Sequence, residues 1–341
     1  MYQNINTNKD CPLVSVVVCT YNQQNYIRDA LDSILAQETD FAFEIILSDD
    51  CSNDRTPQIC QEYADKYPEI IRFYHNKTNK GLVLNYYDSI RLAKSKYIAD
   101  LAGDDIWIDK NKLQKQVSIM EKDSSIVLCH AAWEKFTDYG EVFEPHAFFM
   151  PREAHISKAN ELTITLLNHN RSEYFVHLCT ALYRQDAVLQ IINQYPEFFL
   201  DKNLPCEDLQ LISLLSIKGK IAYIPDKVLK YRVGHISVSS TENVRKEVQF
   251  LLNVIRLSIS IAKILNVDLS KIKHYIQHDI QYCLMQVFIS QKYDIKETVL
   301  SVLNEFPEIR PLFKTQIMMC LTSNTLLWRF TNVIYKKIKS L

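Results

Sequence analysis

Residues 13–50 read LVSVVVCTYNQQNYIRDALDSILAQETDFAFEIILSDD, and the order of patterns in this stretch decides the fold. Leu13–Thr20 is an unbroken, β-branched apolar run, the pattern of a strand buried on both faces. The polar YNQQN after it is a loop. From Tyr26 to Gln37 the apolar residues Ile27, Ala30, Leu31, Ile34 and Leu35 recur at helical spacing, so one helix face packs on the strand. Phe43–Leu47 is a second buried strand, and it ends in the acidic loop SDDCSNDRT. Strand, helix and strand in this order form a unit whose strands lie parallel with a right-handed crossover.

Outward from that unit the pattern repeats. Thr56 reads as the N-cap and Pro57 as the first residue of a second helix. Ile71–His75 is a third strand, followed by the loop NKTNKG and a helix around Leu84–Ala93. Tyr97–Leu101 is a fourth strand running into AGDDIW, and Asp109 reads as the cap of the next helix. The alternation predicts an α/β fold: a doubly wound, mostly parallel sheet flanked by helices. Ligands bind such sheets beyond the carboxyl ends of the strands. Here those ends carry Thr20-Tyr21-Asn22, Asp49-Asp50 and Asp104-Asp105. A dinucleotide-binding sheet is excluded, because no glycine-rich turn follows the first strand and the chain has only five glycines.

From Ile126 to about Tyr183 the pattern is less regular and rich in aromatic residues (CHAAWEKFTDYGEVFEPHAFF), as suits segments that line an acceptor cleft. PCEDLQLISLLSIKGKIAYIPDKVLKYRVGHISVSS predicts a helix, a turn at Gly219, a strand and a loop. After about residue 241 the spacing is helical, as in VQFLLNVIRLSISIAKIL and IKETVLSVLNEF. The expected domains are therefore residues 1–240, catalytic, and 241–341, a helical C-terminal extension.

The chain has 341 residues, 47% hydrophobic, with a formal net charge of −1. A chain this close to neutral has no general field that gathers nucleic acid, so no nucleic-acid partner is expected. Charges interrupt every apolar stretch before it is long enough to span a bilayer. The opening MYQNINTNKD lacks the basic start and apolar core of a secretory signal. Nine cysteines with no CxxC pair, Cys206 among them, read as reduced thiols of a cytoplasmic protein.

Adjacent carboxylates at the end of a buried strand are costly unless a cation sits with them. Asp104-Asp105 therefore invites a hard divalent ion, Mn²⁺ or Mg²⁺. Such an ion bridges a diphosphate and neutralises the charge that develops as it departs. The other reading of the pair is a turn that caps the next helix. The carboxylate of Asp50 matches the N3–H of a uracil ring, while Asp49 and Asp54 fit a turn equally well. Glu207-Asp208 opens an apolar helix, where the helix dipole alone favours acids by about 0.3–1 kcal/mol. In the functional reading Asp208 is a general base, a role worth roughly a hundred- to ten-thousandfold in rate. The stretch Tyr231–His235 brings the cation Arg232 and the imidazole His235 toward a pyrophosphate.

These motifs, VSVVVCTYNQQNYIRDALDSILAQ, EIILSDDCSNDRT, KYIADLAGDDIW, EDLQL, the turn at Gly219, IPD and YRVGHISVS, resemble the inverting family-two glycosyltransferases over roughly residues 12–240. The resemblance implies an A-type glycosyltransferase fold and a nucleotide-sugar donor, commonly a UDP-sugar. It implies that Thr20 and Tyr21 lie against the nucleotide with Asn22 beside them, and that Asp50 binds the base. Asp104 would contact the ribose or sugar, Asp105 would hold the metal, and Asp208 would be the catalytic base. His235 would lie near the diphosphate or metal, and Arg232 near the donor. The chain departs from the family pattern in three places: Cys51 stands where glycine is common, Ala102 where many members carry an acid, and no QxxRW motif of processive synthases follows. Transfer of a single sugar to a glycan or lipid-linked acceptor is expected, in the manner of bacterial surface-polysaccharide enzymes.

The tail LLWRFTNVIYKKIKSL, residues 326–341, sets Leu327, Phe330, Ile334, Ile338 and Leu341 on one helical face and Arg329, Lys336 and Lys339 roughly opposite. This suits either peripheral contact with an anionic membrane surface at the inner face of the membrane or packing on the protein itself. Two rival functions have sequence criteria. A nucleotidyltransferase would carry a glycine-rich, basic loop after the first strand, and YNQQNY is neither. A non-catalytic sugar- or nucleotide-binding module would not need Asp105 and Asp208.

Overall fold

The computed structural model describes residues 11–143, 151, 153–168, 176–234, 243–323, 327–329 and 331–332. The chain divides into two compact units, residues 1–234 and 235–341. In the first unit β1 (Val14–Thr20), α1 (Ile27–Leu35), β2 (Phe43–Asp49), α2 (Thr56–Lys66), β3 (Ile71–His75), α3 (Leu82–Leu92) and β4 (Tyr97–Ala102) alternate along the chain. β1 pairs in parallel with β2 and with β4, and β2 pairs in parallel with β3. Alternate residues of β1 feed one core: Val14, Val16 and Val18 pack with Ile27, Leu31 and Ile34 of α1 and with Ile45 and Leu47 of β2. All eight are fully enclosed, and each such side chain contributes about 1.5–3 kcal/mol of burial free energy.

Beyond β4 come β5 (Ile106–Trp107), α4 (Lys112–Lys122), β6 (Ile126–Phe136), β7 (Val142–Phe143), β8 (His155–Ser157), α5 (Thr163–Leu167), β9 (Leu182–Arg184), α6 (Gln185–Gln194), α7 (Asp208–Leu215) and β10 (Lys220–Arg232). All ten strands form one mixed sheet in the order β3-β2-β1-β4-β9-β6-β10-β5, with β7 on β6 and β8 on β10. β9 lies antiparallel between β4 and β6, while β6 and β10 run parallel to each other. Register shifts on β10 bracket Pro225, whose missing N–H cannot join a ladder.

Several local expectations shift. Thr56 is the first helical residue and not the cap; the Asp54 carboxylate accepts its amide at 2.9 Å, and the Thr56 hydroxyl accepts the amide of Gln23 at 2.8 Å. Asp109 does not cap α4 directly, since Asn111 is the cap residue and Asp109 accepts the Asn111 amide at 2.9 Å. The third helix begins at Leu82, not Leu84. The region expected to be irregular after Ile126 begins with an eleven-residue strand. Its first eight residues are buried, but His130 and the small Ala131 and Ala132 break the apolar run.

The second unit is helical. Asn243 caps α8 (Val244–Ile264) by accepting the amides of Arg245 and Lys246. α8, α10 (Tyr293–Glu305) and α11 (Phe313–Leu321) pack on α9 (Lys273–Ser290). The start of the tail docks here: Trp328 and Asn332 donate to the carbonyl of Phe288. Phe330 and residues 333–341 of the tail lie outside the described residues. Among the described residues no helix is long and apolar enough to cross a membrane.

Candidate active site

The loops after β1 and β2 are stitched together by side chains that answer backbone groups. Asn22 N donates to Ser52 Oγ at 2.8 Å, and Asn53 N returns a bond to Asn22 Oδ1 at 2.9 Å. Gln24 N donates to Asp54 Oδ2 at 3.1 Å, while Arg55 N donates to Gln24 Oε1 at 3.0 Å. Two residues take left-handed backbone to make this fit, Asn22 at φ 53° and Cys51 at φ 63°. The path at Cys51 is thus the one a glycine would follow. Asp50 is buried; it accepts Asn76 Nδ2 at 3.0 Å and Lys80 N at 2.9 Å on Oδ1, and Gly81 N at 2.8 Å on Oδ2. Asp49, also buried, faces His75 Nδ1 at 2.8 Å and accepts Ser52 N at 3.0 Å. Thr20 closes β1 with its hydroxyl on Gln23 Oε1 at 2.8 Å, and Tyr21 is exposed.

The turn after β4 reaches this loop pair through Gly103. A Cβ at Gly103 would displace the Gln23 side-chain amide from Thr20 and press on Thr20 Oγ1 and Ile27 at 3.1 Å, so glycine lets the two loops approach closely. Asp105 is buried, with Oδ1 accepting Arg232 N at 2.9 Å. Among the described residues its buried Oδ2 has no nitrogen or oxygen donor, and the Cys179 thiol lies against the carboxyl. Burial, with the charge of adjacent Asp104 second, raises the Asp105 carboxyl well above the usual carboxylate range. Asp104 is half-buried, and its carbonyl accepts Arg232 Nε at 2.8 Å. The Arg232 guanidinium also binds Asp138, reaches Asp29 at 3.3 Å, and lies over the rings of Tyr26 (4.6 Å) and Phe136 (4.4 Å). The buried arginine therefore holds the Asp104-Asp105 turn against the ends of β6 and β10.

Asp208 opens α7 half-buried, with Oδ1 accepting Leu209 N at 2.7 Å. Glu207 precedes it, and its carbonyl accepts the Tyr87 hydroxyl. Burial and the adjacent Asp208 push the Glu207 carboxyl up to about 8. His177 connects the two acidic sites. The carboxylates of Asp208 and Asp104 both act on its imidazole, which burial holds down at about 4. Asp104, Asp105 and Arg232 thus gather beyond the carboxyl end of β4, and Asp208 acts electrostatically on the same imidazole as Asp104. His235 lies outside the described residues.

A profile of the family described as glycosyl transferase family 2 matches residues 15–191, which span β1 through most of α6. The chain belongs to this family. Among curated family-2 relatives and others, an uncharacterized protein of Mycobacterium tuberculosis is 42% identical over 221 residues, 64% of this chain and 58% of the relative. The chain thus spans 58% of that relative's length. An uncharacterized glycosyltransferase of Rickettsia typhi is 33% identical over 172 residues, half of each chain. Among solved structures, S. aureus TarS in complex with UDP-GlcNAc is similar with a TM-score of 0.61 at 18% identity, covering 94% of this chain and 88% of TarS. At such identity the likeness speaks for the fold, which is of the A type. The catalytic sheet of a family-2 glycosyltransferase accounts for the loop carboxylates as a group: the same strand ends that the topology brings together are the ones that carry them.

Sequence reasoning passed over several residues of this family-2 site. Gly103 had a signal, since it is one of only five glycines and stands directly before the paired aspartates. Asn76 and Gly81, which grip Asp50, sit in the polar loop NKTNKG without a distinguishing mark. Asp29 and Asp138 meet Arg232 across 203 and 94 residues of chain, and His177 lies far from both carboxylates in sequence. No local pattern reports such pairings.

Proposed function

We propose that this family-2 glycosyltransferase is an inverting enzyme that moves one sugar from a UDP-sugar to a hydroxyl of a glycan or lipid-linked acceptor. The observation that carries the reading is the buried Asp105 carboxylate just beyond the end of β4, held by the Arg232 amide at 2.9 Å on the side of the sheet where this fold class binds ligands. Thr20, Tyr21 and Asn22 would lie along the nucleotide. Asp50 has spent three acceptor positions on the 76–81 loop, which leaves about one of its four for the uracil N3–H. Arg232, committed to Asp104, Asp29 and Asp138, acts by fixing the turn.

The residues fit a divalent ion. Among the described residues no group of three or more His, Cys, Asp or Glu side chains encloses a cation. Mg²⁺-like ions, however, are commonly held by one or two carboxylates with substrate phosphates completing the shell. Asp105, whose buried Oδ2 takes no nitrogen or oxygen donor among the described residues, would hold Mn²⁺ or Mg²⁺ beside Asp104, with His235 a further candidate ligand. When bound, the ion supplies positive charge to the departing diphosphate. A Pyrobaculum calidifontis mannosyltransferase solved with GDP-Man and Mn²⁺ is similar in fold, with a TM-score of 0.55 at 12% identity, 95% of this chain and 88% of the other.

Asp208 takes the proton from the acceptor hydroxyl as its oxygen bonds to the anomeric carbon opposite the breaking bond to the diphosphate, and this single displacement inverts the anomeric configuration. The N-terminus of α7 favours negative charge at this position. In-line positioning of donor and acceptor by the surrounding loops contributes the remaining acceleration. The setting proposed with this reading is surface-polysaccharide assembly at the cytoplasmic face of a membrane, with residues 326–341 as the contact.

Calorimetry with UDP, GDP and UDP-sugars, with and without Mn²⁺, tests the donor site. Metal-dependent UDP binding that disappears in Asp105→Ala, with the variant still folded, is the expected result. No nucleotide binding in either condition would refute the reading and favour a non-catalytic module on this fold.

A further inference from the structure

We propose that Trp107, Lys112 and Gln116 are positioning residues for Asp105: together they fix the segment that sets the Cys179 thiol on the Asp105 carboxyl. The inference rests on the reading of Asp105 as the carboxylate that would hold the divalent ion, and it assigns the internal support of that carboxylate.

The support is built on three consecutive carbonyls. Cys179, Thr180 and Ala181 lie where a single 3₁₀ turn, Leu178–Thr180, runs into β9. Trp107 Nε1 donates to the Cys179 carbonyl at 2.8 Å, Gln116 Nε2 to the Thr180 carbonyl at 2.7 Å, and Lys112 Nζ to the Ala181 carbonyl at 3.4 Å. Each carbonyl is held by a different side chain, and all three side chains come from β5 and α4, the elements that follow Asp105 directly. The donors are also tied to one another. Lys112 Nζ donates to Gln116 Oε1 at 2.9 Å and lies 4.2 Å from the centre of the Trp107 ring, and Gln116 Nε2 reaches the Cys129 carbonyl of β6 at 3.1 Å.

From this segment the contact passes to the site. Cys179 Sγ accepts the Ala102 amide at 3.4 Å, and the thiol lies against the Asp105 carboxyl, whose Oδ1 is taken by the Arg232 amide. The carboxyl is therefore held from two sides, by Arg232 and by Cys179. Lys112 marks the assembly as more than core packing. It is fully enclosed, yet its ammonium meets a carbonyl, a side-chain amide and an indole face, all neutral. An ammonium in such surroundings costs stability, and an apolar side chain of similar length would fill the space. Buried carbonyls need donors in any case, and a double-variant measurement separates that role from positioning.

The test uses the full chain with Gln116→Leu, Lys112→Met, Cys179→Ala and the double variant Gln116→Leu/Cys179→Ala. Calorimetry measures UDP affinity without metal and Mn²⁺ affinity in the presence of UDP. Pulsed alkylation read by mass spectrometry measures access to the Cys179 thiol, and urea unfolding confirms the fold. Gln116→Leu and Lys112→Met are expected to speed Cys179 alkylation and to weaken Mn²⁺ affinity about tenfold, as loss of a group that orients a ligand does. Metal-free UDP affinity should not change. Cys179→Ala should weaken Mn²⁺ affinity to a similar degree and the double variant no further, because the two side chains act along one path. Unchanged Mn²⁺ affinity in Gln116→Leu and Lys112→Met, or additive losses in the double variant, overturns the inference. Trp107→Phe, which removes the indole N–H and keeps an aromatic ring facing Lys112, replaces a variant that fails to fold. A wild-type chain whose UDP binding ignores Mn²⁺ refutes the metal reading instead; faster Cys179 alkylation in the variants would then uphold the clasp on this segment, and unchanged rates would overturn it.

Discussion

The two halves of the catalytic sheet treat their polar groups in opposite ways. In the parallel half, β3-β2-β1, the three aspartates at and after the end of β2 are answered by nearby hydrogen-bond donors. Asp49 meets His75 and Ser52, Asp50 meets Asn76, Lys80 and Gly81, and Asp54 meets Gln24 and Thr56. From β4 onward the groups sit in less accommodating surroundings. Asp100 is buried with one oxygen unanswered and is pushed up to about 7, chiefly by burial. Asp105, Glu207, His130 and His177 are likewise displaced from their ordinary values, burial leading in each. Saturated carboxylates preorganise a rigid cradle, whereas displaced titratable groups cluster where chemistry occurs. On the proposed function, the first half would recognise the nucleotide and the second would carry the reaction.

The largest expected effect comes from the reactive half. Asp208→Asn should cut transfer by roughly a hundred- to ten-thousandfold while calorimetry finds UDP affinity nearly unchanged; substantial residual transfer would erase the division between the halves. Next is Arg232→Met. Removing a buried cation leaves Asp29 and Asp138 without their partner and the Asp104 carbonyl without its donor. Because both acids are about half exposed, the loss comes mainly from the Asp104 carbonyl and the vacated space, and we expect about 1–3 kcal/mol in urea unfolding, together with weaker Mn²⁺-dependent UDP binding.

A third prediction uses pH. Burial, with His155 second, holds His130 down to about 3 from its ordinary 6.5. The folded state then binds fewer protons than the unfolded chain between these values, so stability falls as pH drops from about 6.5 toward 3. One such group contributes a slope of roughly 1.4 kcal/mol per pH unit. His130→Gln should flatten the measured slope by about that amount; an unchanged slope would mean the imidazole ionises in place. The smallest effect belongs to the recognition half. Cys51→Gly relieves left-handed strain of about 1–2 kcal/mol, partly offset by about 0.5–1 kcal/mol of added freedom in the unfolded chain. A net gain of roughly 0.5–1 kcal/mol in chemical denaturation is expected, and a loss would show that the Cys51 side chain contributes packing of its own.

The same two halves differ in how far they can be read from residue order. β1, α1, β2, α2, β3, α3 and β4 follow from hydrophobic period and turn chemistry, because each element buries its face against a neighbour in sequence. The loop carboxylates at their ends are visible for the same reason: a short buried strand points its last residues to one edge. β6 escaped such reading because His130 and the small Ala131 and Ala132 break its apolar run, although its first eight residues are buried. β9 inserts antiparallel between β4 and β6, a placement that only distant pairing energy can select.

The sites divide in the same way. Asp50, Asp104, Asp105 and Asp208 are recognisable as residue types in their local motifs, and so is the chemistry they suit. Their surroundings are not local. The Arg232 clasp joins residues of the first helix, the β6–β7 turn and the last strand of the sheet, and His177 feels the charge of two carboxylates from separate segments. Residue order specifies which groups are available and which strand ends carry them, because period and turn preference act over a few residues. Which groups are saturated, displaced or brought face to face depends on desolvation and on contacts across the sheet, and those exist only once the chain has folded.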